Sequence, residues 1–103
     1  MQFYLLLVLS GVISGSTVLA EPVVGFETYD CSGSTLFSYT ATCEHKCSDV
    51  DSWGGYSVGM PSDVQCTLYS EYSCGGVGAF YEQPGCHTIS AGVRSYDCVR
   101  TDC

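Results

Sequence analysis

The residues with the most potential for chemistry form a short cluster, Cys43-Glu44-His45-Lys46-Cys47. Thiolate and imidazole groups are common zinc ligands, so this cluster could in principle hold a metal ion. Structural zinc sites favour a two-residue gap between paired cysteines and need a second ligand pair, whereas the gap here is wider. We therefore expect no metal and no cofactor, and predict that Cys43 and Cys47 form disulfides.

Catalytic patterns are equally sparse. The sequence lacks the Gly-x-Ser-x-Gly elbow of serine hydrolases. Glu71 and Glu82 could act as paired glycosidase carboxylates only across a deep cleft, which so small a domain is not expected to form. His45 and His87 are interpreted as surface residues beside disulfides. We expect no catalytic residues and no enzymatic activity.

The first 20 residues predict a signal peptide. Phe3–Leu9 is an unbroken apolar run, small and polar residues follow it, and Val18 and Ala20 suit a signal-peptidase site before Glu21. The run is too short and too interrupted to span a bilayer. We therefore expect cleavage after residue 20, secretion into the extracellular space, and no membrane insertion.

All eight cysteines follow this segment, and an even number of cysteines in a secreted chain is typical of a disulfide framework. Residues 21–103 make one small domain, whose core is marginal without covalent support. Four disulfides are therefore predicted, among Cys31, Cys43, Cys47, Cys66, Cys74, Cys86, Cys98 and Cys103.

The charge of the chain excludes some classes of partner. The formal net charge is −8 at pH 7, with three Lys and Arg residues against eleven Asp and Glu. Nucleic acids and anionic membranes are recognised by basic surfaces, so neither is an expected partner. We expect a monomer whose partner is an extracellular protein or glycan.

The sequence contains an internal repeat, so the structural elements that carry the cysteines and aromatic residues are expected to occur twice. The second half of the chain matches the first without a gap when Cys31 is placed on Cys74. The matched residues set backbone shape and core packing, which indicates one structural unit built twice. The identical pairs are Tyr29/Tyr72, Cys31/Cys74, Gly33/Gly76, Phe37/Phe80, Cys43/Cys86, Val50/Val93 and Ser52/Ser95, and the aromatic exchanges are Phe26/Tyr69 and Trp53/Tyr96.

Short runs rich in Val, Tyr, Phe and Thr alternate with Gly, Ser and Asp turns, which predicts antiparallel strands. Gly33 and Gly76 are expected to adopt a positive φ. The segment Gly54–Asp63 has little periodicity and is interpreted as an exposed connection. The predicted strands are Val23–Tyr29, Leu36–Ala41, Cys43–Cys47, Val50–Trp53, Val64–Tyr69, Ala79–Tyr81, Cys86–Ile89 and Val93–Val99.

This pattern resembles the Greek-key signature of the β/γ-crystallin family, an aromatic residue, four residues, then aromatic-x-Gly with a later serine. The matching residues are Phe26 and Tyr69, Gly33 and Gly76, and Ser52 and Ser95; Cys31 and Cys74 replace the second aromatic residue. The resemblance is to small secreted cysteine-rich members, among them fungal effector candidates, killer toxins and a metalloproteinase inhibitor. It implies a disulfide-stapled sandwich of two four-stranded sheets, with Greek keys at about 23–57 and 64–103.

Many crystallin-type domains bind calcium through adjacent carboxylates that precede the serine. The residues before Ser52 and Ser95 lack such a pair, and Arg94 opposes a cation, so no calcium is expected.

The repeat favours the like pairings Cys31–Cys43 and Cys74–Cys86. In the topology that the resemblance implies, Cys66 and Cys98 lie on neighbouring strands, which predicts Cys66–Cys98 and leaves Cys47–Cys103. The sequence alone permits many other connectivities.

Most repeated aromatic residues, including Tyr29, Tyr72, Phe37 and Phe80, are interpreted as core or corner packing. Aromatic residues outside the repeat are the candidates for recognition, because exposed Tyr anchors interfaces. The predicted binding surface comprises Tyr39, Tyr56, Met60 and Tyr81.

The resemblance implies an effector-type protein that acts by extracellular binding at a host–pathogen interface. Two alternatives stay open. A protease inhibitor would present Gly54–Asp63, with Met60-Pro61, as a rigid loop. An antimicrobial killer toxin would instead act on a competitor's membrane or wall.

Overall fold

The computed structural model describes residues 21–51 and 55–103 of the chain. These residues form eight β-strands and a short 3-10 turn at Tyr72–Cys74, which confirms the predicted all-β class. The strands are β1 (Val23–Phe26), β2 (Thr35–Tyr39), β3 (Cys47–Asp49), β4 (Gly55–Met60), β5 (Val64–Tyr69), β6 (Ala79–Tyr81), β7 (Gly85–Val93) and β8 (Ser95–Arg100).

Several predicted features fall wholly or partly outside the described residues. They are the signal peptide at residues 1–20, the predicted strand Val50–Trp53 with Ser52 and Trp53, and Gly54 at the start of the predicted connection. The described residues of that strand, Val50 and Asp51, do not form a β-strand. Within the described part of the chain, no helix has the length and apolar character needed to cross a membrane.

The strands form two antiparallel four-stranded sheets, with orders β2-β1-β4-β7 (sheet 1) and β3-β8-β5-β6 (sheet 2). The first half of the chain, residues 21–60, therefore gives three strands to sheet 1 and β3 to sheet 2. The second half, residues 64–103, gives three strands to sheet 2 and β7 to sheet 1. Each half thus completes the sheet of the other.

The core lies between the sheets because strands such as β5 alternate apolar inward residues with outward ones. On β5, Val64, Cys66 and Leu68 are buried, while the residues between them are half-buried. Val58 on β4 meets them from sheet 1. The two sheets are thereby held face to face by area removed from water.

An aromatic cluster joins the sheets at the Tyr96 side of this core. Phe37 of β2 stacks on Tyr96 of β8 with ring centroids 4.4 Å apart, and Tyr39 meets the same ring edge-on at 5.4 Å. Burial raises the pKa of the Tyr96 phenol above its usual value. The stack depends on Gly25, because a Cβ there would lie 2.0 Å from the Phe37 ring.

The interpretation of Gly54–Asp63 as an exposed connection is wrong for most of its length. Residues 55–60 form β4, a strand between β1 and β7, and Val58 and Met60 are buried. Two glycines and a serine concealed the inward alternation of this strand from the sequence pattern. The connection between the halves is reduced to residues 61–63.

The strands before β4 also differ from the prediction. Cys43–Cys47 is not a strand except at its last residue, and β3 covers Cys47–Asp49 instead. β3 pairs with β8 of the other half, with Ser48 opposite Tyr96. Cys86–Ile89 was predicted too short, since β7 continues to Val93.

All eight cysteines form disulfides, as predicted, but three of the four pairings differ. The bonds are Cys31–Cys86, Cys43–Cys103, Cys47–Cys74 and Cys66–Cys98. Cys66–Cys98 is confirmed, because these residues face each other on β5 and β8. Cys31–Cys43, Cys74–Cys86 and Cys47–Cys103 are wrong, since β3 and β7 lie in the sheet of the opposite half.

Candidate binding surfaces

Two hairpins fold back over the outer faces of the sheets, and a buried serine holds each one. Ser57 of β4 accepts a hydrogen bond from the Cys31 N–H at 2.9 Å and donates one to the Thr28 carbonyl oxygen. Ser95 of β8 does the same for Cys74, at 2.8 Å, and for the Glu71 carbonyl. The hairpins β1–β2 and β5–β6 are therefore structural equivalents.

This equivalence corrects the alignment predicted from the sequence, in which Ser52 is matched with Ser95. Ser57, not Ser52, is the counterpart of Ser95, because it makes the same two hydrogen bonds. Cys31 and Ser57 are 26 residues apart, whereas Cys74 and Ser95 are 21 apart. The gapless alignment therefore holds through the hairpin and fails after it.

The hairpin backbones match closely. Gly33 and Gly76 have φ of 80° and 73°, as predicted, and Cys31 and Cys74 have φ of 57° and 54°. A disulfide ties each hairpin to the strand supplied by the opposite half, Cys31 to β7 and Cys74 to β3. Each outer face is thus rigid at its hairpin.

The first hairpin also carries a local polar network. The Asp30 carboxylate accepts hydrogen bonds from Ser32 Oγ and from Thr28 Oγ1, the latter at 2.9 Å. These hydrogen bonds, that from Ser32 foremost, hold the pKa of Asp30 below its usual value. The network holds the turn between Thr28 and Ser32.

Alanine in place of Ser57 or Ser95 is expected to destabilise the fold by about 2–3 kcal/mol each, because both hydroxyls are fully buried and bond two backbone groups. Guanidinium denaturation of the two variants measures this loss. Ser38→Ala, at an exposed position of β2, is the matched control and should change stability by less than about 0.5 kcal/mol. Equal stability of all three variants would contradict the hairpin role.

The predicted binding surface is not gathered at one place. Met60 is 5% exposed and belongs to the core. Tyr39 and Tyr81 are partly buried against the core, and Tyr81 also contacts the His87 ring at 5.0 Å. Tyr56 is half-buried against Tyr29, at 5.1 Å. Met60 is therefore excluded as an exposed anchor, whereas the binding roles of Tyr39, Tyr56 and Tyr81 stay predictions.

Several repeated aromatic residues, predicted to be core, are exposed instead. Tyr29, Tyr72 and Phe80 have 56%, 49% and 56% of their surface exposed. Arg94 lies 5.5 Å over the Tyr72 ring. Tyr29 and Tyr72 occupy equivalent hairpin positions, so the exposure of both belongs to the repeated architecture. Phe80 is exposed although Phe37, its match in the sequence, packs against the core.

Phe37 and Phe80 align in the sequence but lie on opposite faces of their sheets. Val24 pairs with Ser38 on β1 and β2, and the equivalent Thr67 pairs with Phe80 on β5 and β6. Phe80 is therefore the counterpart of exposed Ser38. A register shift between Gly25 and Phe26 displaces the strands by one residue, which exchanges inward and outward positions.

Phe80 belongs to an apolar surface at the edge of sheet 2, which we call the β6 surface. It comprises Thr67, Tyr69, Val77, Gly78 and Phe80. Val77 is 93% exposed. Thr67 and Tyr69 pack closely against Gly78. A Cβ at residue 78 would lie 2.4 Å from the Thr67 methyl and 2.7 Å from the Tyr69 ring, so this packing requires glycine.

The sequence did contain a signal for this surface. The hairpins match at Gly33 and Gly76, so Ser34 is the counterpart of Val77. Val77 stands out at a position where the two repeats differ, since an apolar residue replaces a serine. The exposure of Phe80 could not be found in this way, because its counterpart Ser38 is known only from the strand register.

The Cys43-x-His45-x-Cys47 cluster is divided by its disulfides. Cys43 bonds to Cys103 and Cys47 to Cys74, so neither sulfur is a thiolate. The His45 ring is 72% exposed, and its Nδ1 lies 3.2 Å from the Asp97 carboxylate. Among the described residues, no group of three potential ligands is close enough to hold a metal ion.

The chain matches no protein-family model, no curated protein and no solved structure. Its function must therefore be inferred from its own surfaces.

A shallow groove of about 280 Å³ crosses the outer face of sheet 1. Gly59, Phe26 and the Cys31–Cys86 disulfide line the groove. Glu21 and Pro61 also belong to its lining. The groove and the β6 surface lie on different sheets.

Proposed function

We propose that this chain is a secreted, cysteine-rich, effector-type protein that binds an extracellular protein partner without a catalytic step. The observation that carries the proposal is the β6 surface, where Val77 and Phe80 present apolar side chains to solvent at a sheet edge. A host–pathogen setting is part of the proposal and comes from the sequence resemblance.

The position of Phe80 supports a binding role because it opposes the usual design of sheet edges. Edge strands of soluble proteins usually carry charged residues or proline, which prevent association with other chains. β6 is an edge strand, yet its central residue is an exposed phenylalanine. Large aromatic side chains of this kind anchor protein interfaces.

The other half of the chain shows that folding does not require these residues. Ser34 and Ser38 occupy the equivalent positions of sheet 1, where both are exposed. The same hairpin backbone therefore carries two serines in the first half of the chain, and Val77 and Phe80 at the equivalent positions in the second half. An exposed apolar pair that the architecture does not need is best explained by a partner.

Four disulfides in a domain of this size are typical of extracellular proteins, which supports secretion. The proposal includes the finer fold class, two Greek keys of the β/γ-crystallin type. Its support is the duplicated hairpin, the serine that fixes each hairpin, and the exchange of β3 and β7 between the sheets.

The two alternatives gain no support from the structure. The inhibitor hypothesis needed residues 54–63 as a protruding loop, but residues 55–60 form β4 and Met60 is buried. For the killer-toxin hypothesis, no described feature favours an action on membranes or walls.

The proposal is tested by comparing the wild-type protein with Val77→Ser/Phe80→Ser. Each protein is immobilised and exposed to plant apoplastic fluid and to animal extracellular fluid, and retained proteins are identified by mass spectrometry. A retained protein is then purified and its affinity measured by calorimetry. We expect the double variant to bind at least about tenfold more weakly, as for the loss of interface anchors.

The matched control is Ser34→Ala/Ser38→Ala, which alters the equivalent positions of sheet 1 and should bind like the wild type. Equal affinity of wild type and Val77→Ser/Phe80→Ser would contradict the proposal. So would retention of glycans alone, because their binding needs no exposed edge of this kind.

A further inference from the structure

The groove on sheet 1 is separate from the β6 surface, which lies on the other sheet. Its outward residues Val24 and Phe26 on β1 lie beside Gly59 on β4, which pairs with Val24. A Cβ on Gly59 would lie 3.6 Å from the Phe26 ring and 4.0 Å from the Cys31 sulfur. The groove is therefore open because residue 59 has no side chain.

Sheet 2 shows the same position filled. Ser57 and Ser95 are equivalent, so Gly59 corresponds to Asp97, and Val24 to the Thr67 that pairs with Asp97. The Asp97 carboxylate contacts His45, and Gly78 lies against Thr67. The architecture thus accepts a side chain at this position, and the open groove of sheet 1 is not a requirement of the fold.

The size of the groove points to its occupant. Sites for small molecules usually bury most of the ligand, whereas this groove is shallow and its volume of about 280 Å³ lies at the lower limit for such sites. Its walls are an aromatic ring, aliphatic side chains and a disulfide. These dimensions suit one large apolar side chain of a peptide.

The negative charge of the protein indicates which residues of the peptide could lie next to that apolar side chain. Glu21 is one of the residues that line the groove, and none of the described lining residues is Lys or Arg. The whole chain carries a net charge of −8, and Arg100 is bound to Asp102 in a 2.6 Å ion pair. Cleavage after residue 20 would place an α-ammonium group on Glu21, beside its carboxylate. The attraction for a basic residue next to the apolar one therefore comes chiefly from the net negative charge of the whole protein.

We infer that the groove on sheet 1 binds a peptide segment of a partner protein that carries a large apolar residue next to Lys or Arg. The apolar side chain lies over Gly59 between Phe26 and the Cys31–Cys86 disulfide. The cation lies beside Glu21. The site does not depend on Val77 or Phe80.

The probe is a phage-displayed library of random 12-residue peptides, selected on the oxidised protein. We expect the enriched peptides to share an apolar residue adjacent to Lys or Arg. One such peptide is synthesised and titrated into ¹⁵N-labelled wild-type protein. The backbone amides of Gly59 and Gly85 should shift most, because both residues line the groove.

Two variants test the geometry. Gly59→Asp copies the residue of sheet 2 and should weaken peptide binding about tenfold or more, with the NMR spectrum of the folded protein otherwise retained. Glu21→Gln, at an exposed position outside the strands, should weaken binding and reduce its dependence on salt. Val77→Ser/Phe80→Ser should bind the peptide like the wild type.

Failure is recognisable in each arm. Absence of enrichment, or enrichment without the apolar–basic pair, would overturn the inference. Shifts confined to residues 77–81 would overturn it while supporting the function proposed for the β6 surface. Unchanged binding by both Gly59→Asp and Glu21→Gln, or a peptide effect on self-association alone, would also overturn it.

Discussion

We expect replacement of Cys66 and Cys98 together by alanine to lower the free energy of unfolding by about 5 kcal/mol. The corresponding double replacement of Cys43 and Cys103 should cost only about 3 kcal/mol. Guanidinium denaturation of both variants under non-reducing conditions measures the difference.

The two disulfides make a matched pair because they close the same covalent ring. Segments 43–47, 66–74 and 98–103 are joined end to end by Cys43–Cys103, Cys47–Cys74 and Cys66–Cys98. Opening either bond releases this ring of about 20 residues, so the chain-entropy loss is the same, about 3 kcal/mol. The sequence separations of 60 and 32 would have suggested otherwise.

Burial makes the difference between them. Cys66 and Cys98 are fully buried between the sheets, so their loss also leaves a small cavity, worth about 2 kcal/mol. Cys43 and Cys103 are exposed. A greater loss for the exposed pair would show that Cys66–Cys98 has no role in the core.

The second large effect is expected at Gly25. Gly25→Ala should destabilise the protein by about 2–4 kcal/mol, because the new Cβ would overlap the Phe37 ring at 2.0 Å and force it off Tyr96. Thermal unfolding measures the stability, and near-ultraviolet circular dichroism reports the loss of the aromatic stack.

Gly59→Ala is the control, since its Cβ would meet only ordinary contacts at 3.6 Å or more. It should stay within about 1 kcal/mol of the wild type. In a Phe37→Ala background the cost of Gly25→Ala should largely disappear, because the clash is gone. A cost that persists there would place its origin elsewhere.

The sequence predicted those parts of the molecule that depend on local residues. The Gly33 and Gly76 turns, the all-β class and most strands of the second half follow from composition and alternation. The repeat also located Cys31 and Cys74 at equivalent hairpin positions. Local geometry repeats with the sequence because the same short segment meets the same backbone constraints.

Strand partnership could not be predicted in the same way. Cys43 and Cys86 align in the sequence, but no local signal tells that β3 and β7 join the sheet of the opposite half, so three disulfide pairings were wrong. Phe37 and Phe80 show the second difficulty. A displacement of one residue reverses the face of a strand, and a gapless alignment cannot detect it.

The candidate surfaces were missed for a related reason. Aromatic residues inside the repeat were interpreted as core and those outside it as surface, whereas burial follows the direction of each side chain. Tyr39 and Tyr81 point inward although they are unmatched, and Phe80 points outward although it is matched. The groove over Gly59 exists because residue 59 has no side chain. The sequence analysis looked for aromatic and charged residues, so it could not find this groove.

The exchange of β3 and β7 has a consequence for survival among proteases. A cut in the exposed connection 61–63 would produce two peptides, and yet neither could leave. Each peptide contributes a strand to the other's sheet, and the bonds Cys31–Cys86, Cys43–Cys103 and Cys47–Cys74 cross from one to the other. A nicked molecule would gain the mass of one water, and it would keep its core and both outer faces until its disulfides were reduced.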